Sequence, residues 1–508
     1  MKPLILAAAA LLASIPVGAQ AQPLPPPEKI ATAAERPLLP RFLSILEREE
    51  DPAAALKELD ALLGQLKEPT QFRGIVQFFR AELLRQQKRE RDGRDALLES
   101  IRLLPSSTAP LMLAAHIHAY ADEAAPATDY FLRALRVDPD IANQIEQYEV
   151  WNLVTRLRER DDRRRLVALS ERLLELGWSR GRLDMISSLA MSVLDDRLAR
   201  GDVAGAAQMI PKILLPGRFM TLLTDNRYAP LRSDVEAWGG PKLEKLWPIY
   251  LEQARAEWQA SRDPEAGRTY AGALGAAAHD RKLVSTFLPL FRGKMDPIED
   301  QDLIFLSSDV ASALARLGRW DEVDEVFAKA LAVWPAGSQA NALNLTGNRG
   351  RFLIYKGEFE RGLALLDQSI RDAGKLGGEV NTGGLAAIHV YRACALQQLG
   401  RAQEDIVSKA MVISRKAVNP LAYAYLQLCA ADVEGARKTL IQAFADEGTR
   451  EEALSWMQPL PNVSYDSGFS RVMRERGDAL RQDEAVLTEA RKHGRILEWP
   501  VNAAAPKE

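Results

Sequence analysis

The sequence predicts an all-α fold, an α-α superhelix of repeated helix pairs in two segments with a C-terminal helical cap. Three observations predict it: an internal repeat at an offset of 34 residues, apolar residues at helical spacing in each half of the repeat, and proline where the second half ends. The composition agrees, because 47% of the 508 residues are hydrophobic and 27% are charged, as in a globular chain.

The repeat is visible when residues 74–107 are laid over the next 34. Ala81 then falls on Ala115, where two helices must approach closely, and Pro105 falls on Pro139, where the second helix ends. Each half of the unit predicts an amphipathic helix of about a dozen residues. A chain of such pairs buries its apolar faces by stacking neighbouring repeats.

The clearest copy covers 304–337, with Gly318 at the turn and Pro335 at the end. Its apolar positions are Val310, Ala311, Leu314, Val323, Phe327, Ala330 and Leu331. This plan resembles the tetratricopeptide repeat (TPR), in divergent copies over roughly 37–450. The resemblance implies a superhelix whose first helices line a concave, partner-binding groove. The copies depart from the family at Lys88, Asp161 and Asp432, which stand near turns where glycine is usual.

The pattern divides the chain into six predicted parts. These are a signal peptide (1–21), a proline-rich linker (22–36), an N-terminal TPR-like array (37–216), an irregular segment with a connecting helix (217–262), a C-terminal TPR-like array (263–450), and a C-terminal loop with a capping helix (451–508). We expect the proline-rich stretch 22–27 to be extended rather than helical.

The N-terminal residues have the three parts of a secretory signal peptide. Lys2 supplies the positive charge, residues 4–17 form a short apolar core, and Ala19 and Ala21 are the small residues before a cleavage site. The sequence therefore predicts an exported, periplasmic protein of a bacterium. No later stretch is long and apolar enough to predict a membrane span, so we expect none after signal cleavage.

Charge and motif searches argue against several functional classes. A net charge of −3 lacks the basic excess of a nucleic-acid binder, so no nucleic-acid partner is expected. The sequence contains no G-x-S-x-G, S-x-x-K, H-E-x-x-H, P-loop or G-x-G-x-x-G motif. We therefore predict that the protein is not an enzyme and has no catalytic residue, metal site or cofactor. His116 and His118 point about 200° apart on a helix, with His116 toward the groove and His118 toward the core.

The two cysteines lie 35 residues apart in adjacent first helices. In the repeat register, Cys394 and Cys429 are about one helical turn out of step. With about 8–10 Å between packed helices, this offset predicts two buried free thiols rather than a disulfide, although an oxidising periplasm would permit one.

The candidate binding site is a polar stripe on one predicted helix. Asn344, Asn348, Arg351 and Tyr355 are spaced by 4, 3 and 4 residues, which puts them on one face. The resemblance implies that this face lines the groove. Asn amides can pair with a peptide backbone, and Arg can fork onto a carboxylate. We expect all four side chains to be exposed; a merely solvated polar face is the alternative interpretation.

The sequence thus favours a non-enzymatic periplasmic scaffold that binds protein or peptide segments, with a role in envelope assembly suggested by the fold alone. One alternative is an enzyme or accessory domain acting on cell-envelope polysaccharide, with carboxylates in 217–262 or 451–508. Another alternative is a purely structural protein that self-associates, which would form a homo-oligomer.

Overall fold

The computed structural model describes residues 24–47, 51–178, 180–297, 300, 303–335, 342–376, 380, 382–415, 419–459, 465 and 467–507. The predicted signal peptide, 1–21, lies outside the described residues. The chain forms two compact units, called unit 1 (Met1–Lys212) and unit 2 (Ile213–Glu508).

The described part of unit 1 is helical. Its α-helices are α1 (Pro27–Ile30), α2 (Leu39–Leu46), α3 (Pro52–Leu63), α4 (Gln71–Gln86), α5 (Glu90–Leu103), α6 (Thr108–Tyr120), α7 (Ala124–Val137), α8 (Gln147–Glu159), α9 (Arg163–Glu175), α10 (Leu183–Ala199) and α11 (Val203–Ala207). Short 3-10 turns occur at Arg36–Leu38, Pro139–Gln144 and Ile210–Lys212. The proline-rich stretch is not extended to its end, because Pro27 occupies the first position of a helix, where its fixed φ is favourable.

The helices of unit 1 pack as consecutive antiparallel pairs. α4 packs on α5, α6 on α7, α8 on α9, and α10 on α11. Ala81 and Ala115 are fully buried, as expected for the sites where two helices cross. Ser100 ties the first pair together, because its hydroxyl donates to the Gly74 carbonyl at 2.8 Å.

Unit 2 continues the same architecture. Its α-helices are α12 (Pro216–Thr224), α13 (Arg232–Gly239), α14 (Leu246–Ser261), α15 (Pro264–Ala276), α16 (Asp280–Arg292), α17 (Leu303–Arg316), α18 (Trp320–Val333), α19 (Leu343–Lys356), α20 (Phe359–Leu376), α21 (Thr382–Gln398), α22 (Ile406–Ser414), α23 (Pro420–Cys429), α24 (Val433–Ala445), α25 (Glu447–Met457), α26 (Gly468–Arg481) and α27 (Glu484–His493). Asn226–Leu231 and Ala402–Asp405 are 3-10 turns.

The first helices of successive repeats are neighbours in unit 2. α15 contacts α17, α19 contacts α21, and α21 contacts α23, while each also packs on its own second helix. The pair α19 and α20 meets through glycine. A Cβ on Gly350 would lie 3.2 Å from the Gly362 carbonyl oxygen, and one on Gly362 would lie 3.0 Å from the Gly350 carbonyl oxygen. A side chain at either position would therefore push the two helices apart.

Several turns between paired helices use a left-handed residue. Gly318 has φ +74° and Gly357 has φ +94°, conformations that glycine adopts without steric cost. Lys88 and Asp161 occupy the equivalent place in unit 1, with φ +59° and +52°. In the copy after α23 the left-handed residue is Ala431, with φ +60°, one position before the Asp432 that the sequence suggested.

The first helix of unit 2 contacts the C-terminal part of the same unit. α12 packs against α25, and Arg218 forms an ion pair with Glu451 at 2.7 Å. Beyond α27, Gly494 forms an antiparallel bridge with Asp225, and the Arg495 amide donates to the Thr224 carbonyl at 2.8 Å. The two segments that lie outside the repeats, 217–262 and 451–508, therefore pack against each other and are joined by hydrogen bonds and an ion pair.

The cysteine prediction is wrong, because Cys394 and Cys429 form a disulfide bond with a Cα–Cα distance of 5.3 Å. The prediction treated the distance between helix axes as the distance between backbone atoms. Cα atoms lie about 2.3 Å from the axis, so residues on facing sides of two packed helices come several ångströms closer than the axes. Both cysteines are buried on the facing sides of α21 and α23.

The predicted all-α fold of stacked helix pairs is confirmed for the described residues, which form no β-strand and one isolated bridge. No described helix combines the length and the apolar character that crossing a membrane requires.

Candidate functional site

The four predicted groove residues all lie on α19. Two other faces of this helix pack on its neighbours, because Gly347 faces Ile388 of α21 and Gly350 faces its own second helix, α20. Asn344, at the start of the remaining face, is exposed. The other three, Asn348, Arg351 and Tyr355, are partly buried.

Tyr355 lies in a cluster of aromatic rings. Its hydroxyl is 2.8 Å from the hydroxyl of Tyr391 on α21, and the two rings meet edge to face with centroids 5.6 Å apart. Tyr391 meets Tyr425 of α23 in the same way, at 5.9 Å. The first helices of three consecutive repeats, α19, α21 and α23, thus carry neighbouring tyrosines. Such pairs contribute roughly 0.5–1.5 kcal/mol each beyond their buried area.

The C-terminal segment supplies a fourth tyrosine. The Tyr465 ring stacks on Tyr355 with centroids 5.0 Å apart, and its hydroxyl donates to Ser312 of α17 at 3.5 Å. The hydroxyls of Ser467 and Ser470 donate to the Tyr355 carbonyl, which lies at the C-terminal end of α19. These contacts cover the end of the stripe.

Arg351 is a cation without an ion pair to any described carboxylate, and its Nε is buried without a hydrogen-bond partner. The guanidinium lies 5.0 Å from the centroid of the Phe352 ring. Burial lowers the pKa of Arg351, but the hydroxyls of Tyr391, Tyr355 and Tyr465 outweigh it and leave this pKa above its ordinary value. The side chain therefore stays charged. Burial and Tyr391 also raise the pKa of Tyr355 well above its ordinary value, so its hydroxyl stays protonated.

Asp309, on the first helix of the preceding repeat (α17), is attracted electrostatically by Arg351. Burial raises the pKa of Asp309 to about 6, against the attraction of Arg268, Arg316 and Arg351. Arg316 is already paired with Asp280 at 2.6 Å. The face therefore combines the Arg351 cation, the protonated hydroxyl of Tyr355 and the Asp309 carboxyl, which is ionised at neutral pH. This set suits hydrogen bonding to a ligand's backbone and charged groups.

The expectation that all four stripe residues are exposed is wrong for Asn348, Arg351 and Tyr355, which are partly buried. For Arg351 and Tyr355 the physical reason is the C-terminal segment: Tyr465 and the start of α26 pack on the end of α19, which the repeat pattern alone does not show. Asn344 is exposed and stays accessible for a ligand's backbone.

Sequence reasoning missed the tyrosine row, although a signal was present. Tyr355, Tyr391 and Tyr425 are 36 and 34 residues apart, which is one repeat each. Comparison of equivalent positions across the repeats would have found them. Tyr465 lies outside the repeats and carried no such signal.

His116 and His118 lie in different surroundings on α6. His118 contacts Glu123 and stacks on Tyr130 of α7, and it is only partly buried. His116 lies on the other side, beside Glu149 of α8 at 3.3 Å. Within the described ranges, no group of three or more His, Cys, Asp or Glu side chains is arranged to hold a metal ion.

Comparisons with known proteins give structural matches only. No protein-family profile matches the sequence, and the search of curated proteins gives no match. The crystal structure of the APC/C hetero-tetramer Cut9-Hcn1 matches with a TM-score of 0.30 and 12% identity, over 81% of this chain and 88% of that chain. The TPR domain of P58(IPK) matches with a TM-score of 0.20 and 13% identity, over 73% of this chain and 99% of that chain.

The described repeats have a tetratricopeptide-like fold. The observations that carry this statement are the consecutive helix pairs, their left-handed turn residues and the buried small residues where paired helices cross. Stacked repeats of this kind present extended surfaces that bind other proteins.

Proposed function

We propose that unit 2 binds a segment of a partner protein along the α19 face, and that the protein is a non-enzymatic scaffold of the periplasm. The observation that carries the proposal is Arg351, a partly buried cation with no ion pair among the described residues. A buried charge costs stability unless a partner compensates it, so a ligand that supplies the missing hydrogen-bond acceptors is favoured.

The side chains around Arg351 suit an extended peptide. Asn344 and Asn348 can each donate to and accept from a backbone, and they precede Arg351 on the same face. The rows of first helices provide several such positions side by side. The absence of any recognised catalytic motif in the sequence supports a binding role over an enzymatic one.

A pull-down from a bacterial periplasmic extract tests the proposal. The bait is the full chain, and captured proteins are identified by mass spectrometry. A parallel bait carries Asn348→Ala and Arg351→Ala, and a matched control carries Arg371→Ala, which removes an exposed arginine from the second helix of the same repeat. We expect the control to capture the same partner and the double variant to lose it. Equal capture by all three baits would contradict the proposed face.

The periplasmic location rests on the N-terminal sequence. Lys2, the apolar core 4–17 and Ala19 and Ala21 predict export and cleavage before Gln22. N-terminal sequencing of the protein isolated from cells should therefore begin at or near Gln22. An intact Met1 on protein from the soluble cytoplasmic fraction would contradict export. A role in envelope assembly follows only if the captured partner belongs to that machinery.

A further inference from the structure

Unit 2 contains a cleft that the proposed partner-binding face does not use. The cleft has a volume of about 760 Å³ and lies where α14, α15 and α16 meet the C-terminal tail, residues 500–507. Protein clefts that hold small molecules typically enclose about 300–1,000 Å³. This cleft is therefore large enough for a small ligand.

Part of the cleft lining is apolar. Pro248 and Leu251 of α14, Leu274 of α15 and Pro506 of the tail contribute these side chains. Apolar surface gains free energy when a hydrocarbon displaces the water that covers it. The apolar lining therefore favours a ligand with a hydrocarbon part.

The tail residues that line the cleft are attached to the helices by hydrogen bonds. Trp247 of α14 donates to the Val501 carbonyl at 2.9 Å. Nε2 of His279, the residue before α16, donates to the Pro506 carbonyl. The tail is therefore an integral part of the cleft.

The charged side chains around the cleft are mostly cations. Arg255 pairs with Glu252 at 2.7 Å, and Glu252 is the one acidic side chain among the described residues that line the cleft. Arg281, Lys282 and Lys507 line it as well and are exposed to solvent. Arg281 and Lys507 form no ion pair with any described carboxylate. The cleft therefore has an excess of positive charge that favours an anionic ligand.

The N-terminus of α16 adds to this positive charge. His279, at the N-cap position, makes no side-chain hydrogen bond to the first turn of the helix. The carboxylate of the first turn, Asp280, is paired with Arg316 of α17 at 2.6 Å and does not neutralise the cleft. Uncapped amide groups at a helix N-terminus carry partial positive charge and attract anions.

A buried hydroxyl group also lines the cleft. Tyr270 of α15 is 5% exposed, and its ring packs edge to face on Phe287 with centroids 6.0 Å apart. Its hydroxyl has no hydrogen-bond partner among the described residues. Burial raises the pKa of Tyr270 above its ordinary value, against the attraction of Arg255, so the hydroxyl stays protonated. A buried hydroxyl without a partner costs stability, and a ligand oxygen that accepts from it would offset this cost.

We propose that this cleft binds an anionic amphiphile, a small molecule with one acidic head group and a hydrocarbon body. The cations Arg281, Lys282 and Lys507 attract the acidic group, and the Tyr270 hydroxyl donates to a ligand oxygen. The hydrocarbon body packs on the apolar lining. None of the stripe residues of α19 lines this cleft, so the site is independent of the proposed partner-binding face.

The first test is a calorimetric titration of decanoate onto the full chain at pH 7. Two matched probes separate the parts of the ligand, since decanol lacks the charge and acetate lacks the hydrocarbon. We expect decanoate to bind one site per chain, at least about 10-fold more tightly than either probe. A fatty acid and a phospholipid share this chemistry, so dihexanoyl phosphatidylglycerol is titrated separately. Tighter binding of either amphiphile supports the proposal and identifies the source of the ligand.

The second test uses variants of the lining. Arg281→Ala with Lys507→Ala removes two cations, and Tyr270→Phe removes the hydroxyl alone. The matched control, Lys294→Ala with Arg371→Ala, removes two exposed cations of unit 2 that do not line the cleft. We expect amphiphile binding to be about 10-fold weaker in the double site variant and about 3- to 10-fold weaker in Tyr270→Phe. The control should stay within about twofold.

Thermal melts of all the variants check that they fold. The proposal is overturned if neither amphiphile binds saturably, if decanol or acetate binds as tightly as decanoate, or if folded site variants bind as the control does.

Discussion

Two partly buried side chains of unit 1, Glu149 and His116, contribute to stability with opposite dependence on pH. The pKa of Glu149 is raised from 4.5 to about 7, so the folded state binds its proton more tightly. That contribution is fully present below about pH 4.5 and is lost as the pH rises through 7. The pKa of His116 is lowered from 6.5 to about 4, so its contribution is present above about pH 6.5 and is lost as the pH falls through 4.

The Glu149→Gln variant separates the two effects. Removing the ionisable carboxyl should raise the free energy of unfolding at pH 8 by about 1–3 kcal/mol and leave it nearly unchanged at pH 4. Urea unfolding of the native chain and the variant, followed by circular dichroism between pH 4 and 8, measures the difference. Parallel pH profiles would show that Glu149 titrates normally in the folded protein.

Ala330 tests the helix register at the scale of one residue. The side chain is fully buried where α18 packs in its repeat, in agreement with the sequence prediction. Ala330→Glu would place a carboxylate in that contact, and we expect it to lower the free energy of unfolding by several kcal/mol, about 3 or more. Thermal melts by circular dichroism measure this, with Ala328→Glu, which adds the same charge at an exposed position of the same helix, as the control. A melting temperature equal to that of the control would mean that the packing is misassigned.

At the scale of helices, the sequence predicts which face of each helix is buried but not which side chains of adjacent helices touch. The small residues and the turn glycines predict the helix pairs. A close helix crossing needs a small side chain and a left-handed turn favours glycine, and both requirements are visible in a short stretch of sequence. The Cys394–Cys429 bond and the Tyr355–Tyr391 contact depend on how two neighbouring repeats are rotated and shifted. A shift of a few ångströms between neighbouring repeats decides whether the disulfide bond and the tyrosine contact form. The pattern of apolar residues within one repeat does not specify that shift.

The disulfide bond between α21 and α23 should stabilise unit 2. It closes a loop with a sequence separation of 35 residues, for which chain entropy gives about 4 kcal/mol. Replacing both cysteines with alanine should lower the free energy of unfolding by about 2–4 kcal/mol. The measurement is a thermal melt of the double variant beside the native chain, with and without reductant. Two reactive thiols per chain in protein unfolded without reductant would contradict the bond.

At the scale of the whole chain, the closure of unit 2 is the feature that sequence analysis did not anticipate. The segments 217–262 and 451–508 break the repeat pattern. The sequence predicts a connecting helix in the first and a loop with a capping helix in the second, but no contact between the two segments. In the structure, Arg495 donates to the Leu223 carbonyl at 2.6 Å and pairs with Glu236 at 2.8 Å. Trp247 donates to the Val501 carbonyl at 2.9 Å. These contacts join residues more than 250 positions apart, which no local pattern can predict.

Arg495→Ala should loosen this closure. The loss of a charged hydrogen bond and a partly exposed ion pair is expected to cost about 1–2 kcal/mol and to speed proteolysis of the C-terminal segment. Limited proteolysis with mass spectrometry measures the rate, and Arg491→Ala, an exposed arginine on α27, is the control. Cleavage at the same rate in both variants would show that Arg495 does not hold the segment.

The central claim is that the α19 face of unit 2 binds a partner, and an affinity titration tests it most directly. The captured protein is titrated onto the native chain, onto Arg351→Ala and onto the Asn348→Ala, Arg351→Ala double variant, beside thermal melts. A charged hydrogen bond contributes about 1.5–3 kcal/mol and a neutral one about 1 kcal/mol. We therefore predict affinity about 10- to 100-fold weaker for Arg351→Ala, weaker still for the double variant, and an intact fold in both. Unchanged affinity of a folded double variant would contradict the claim and leave the stripe a solvated polar face.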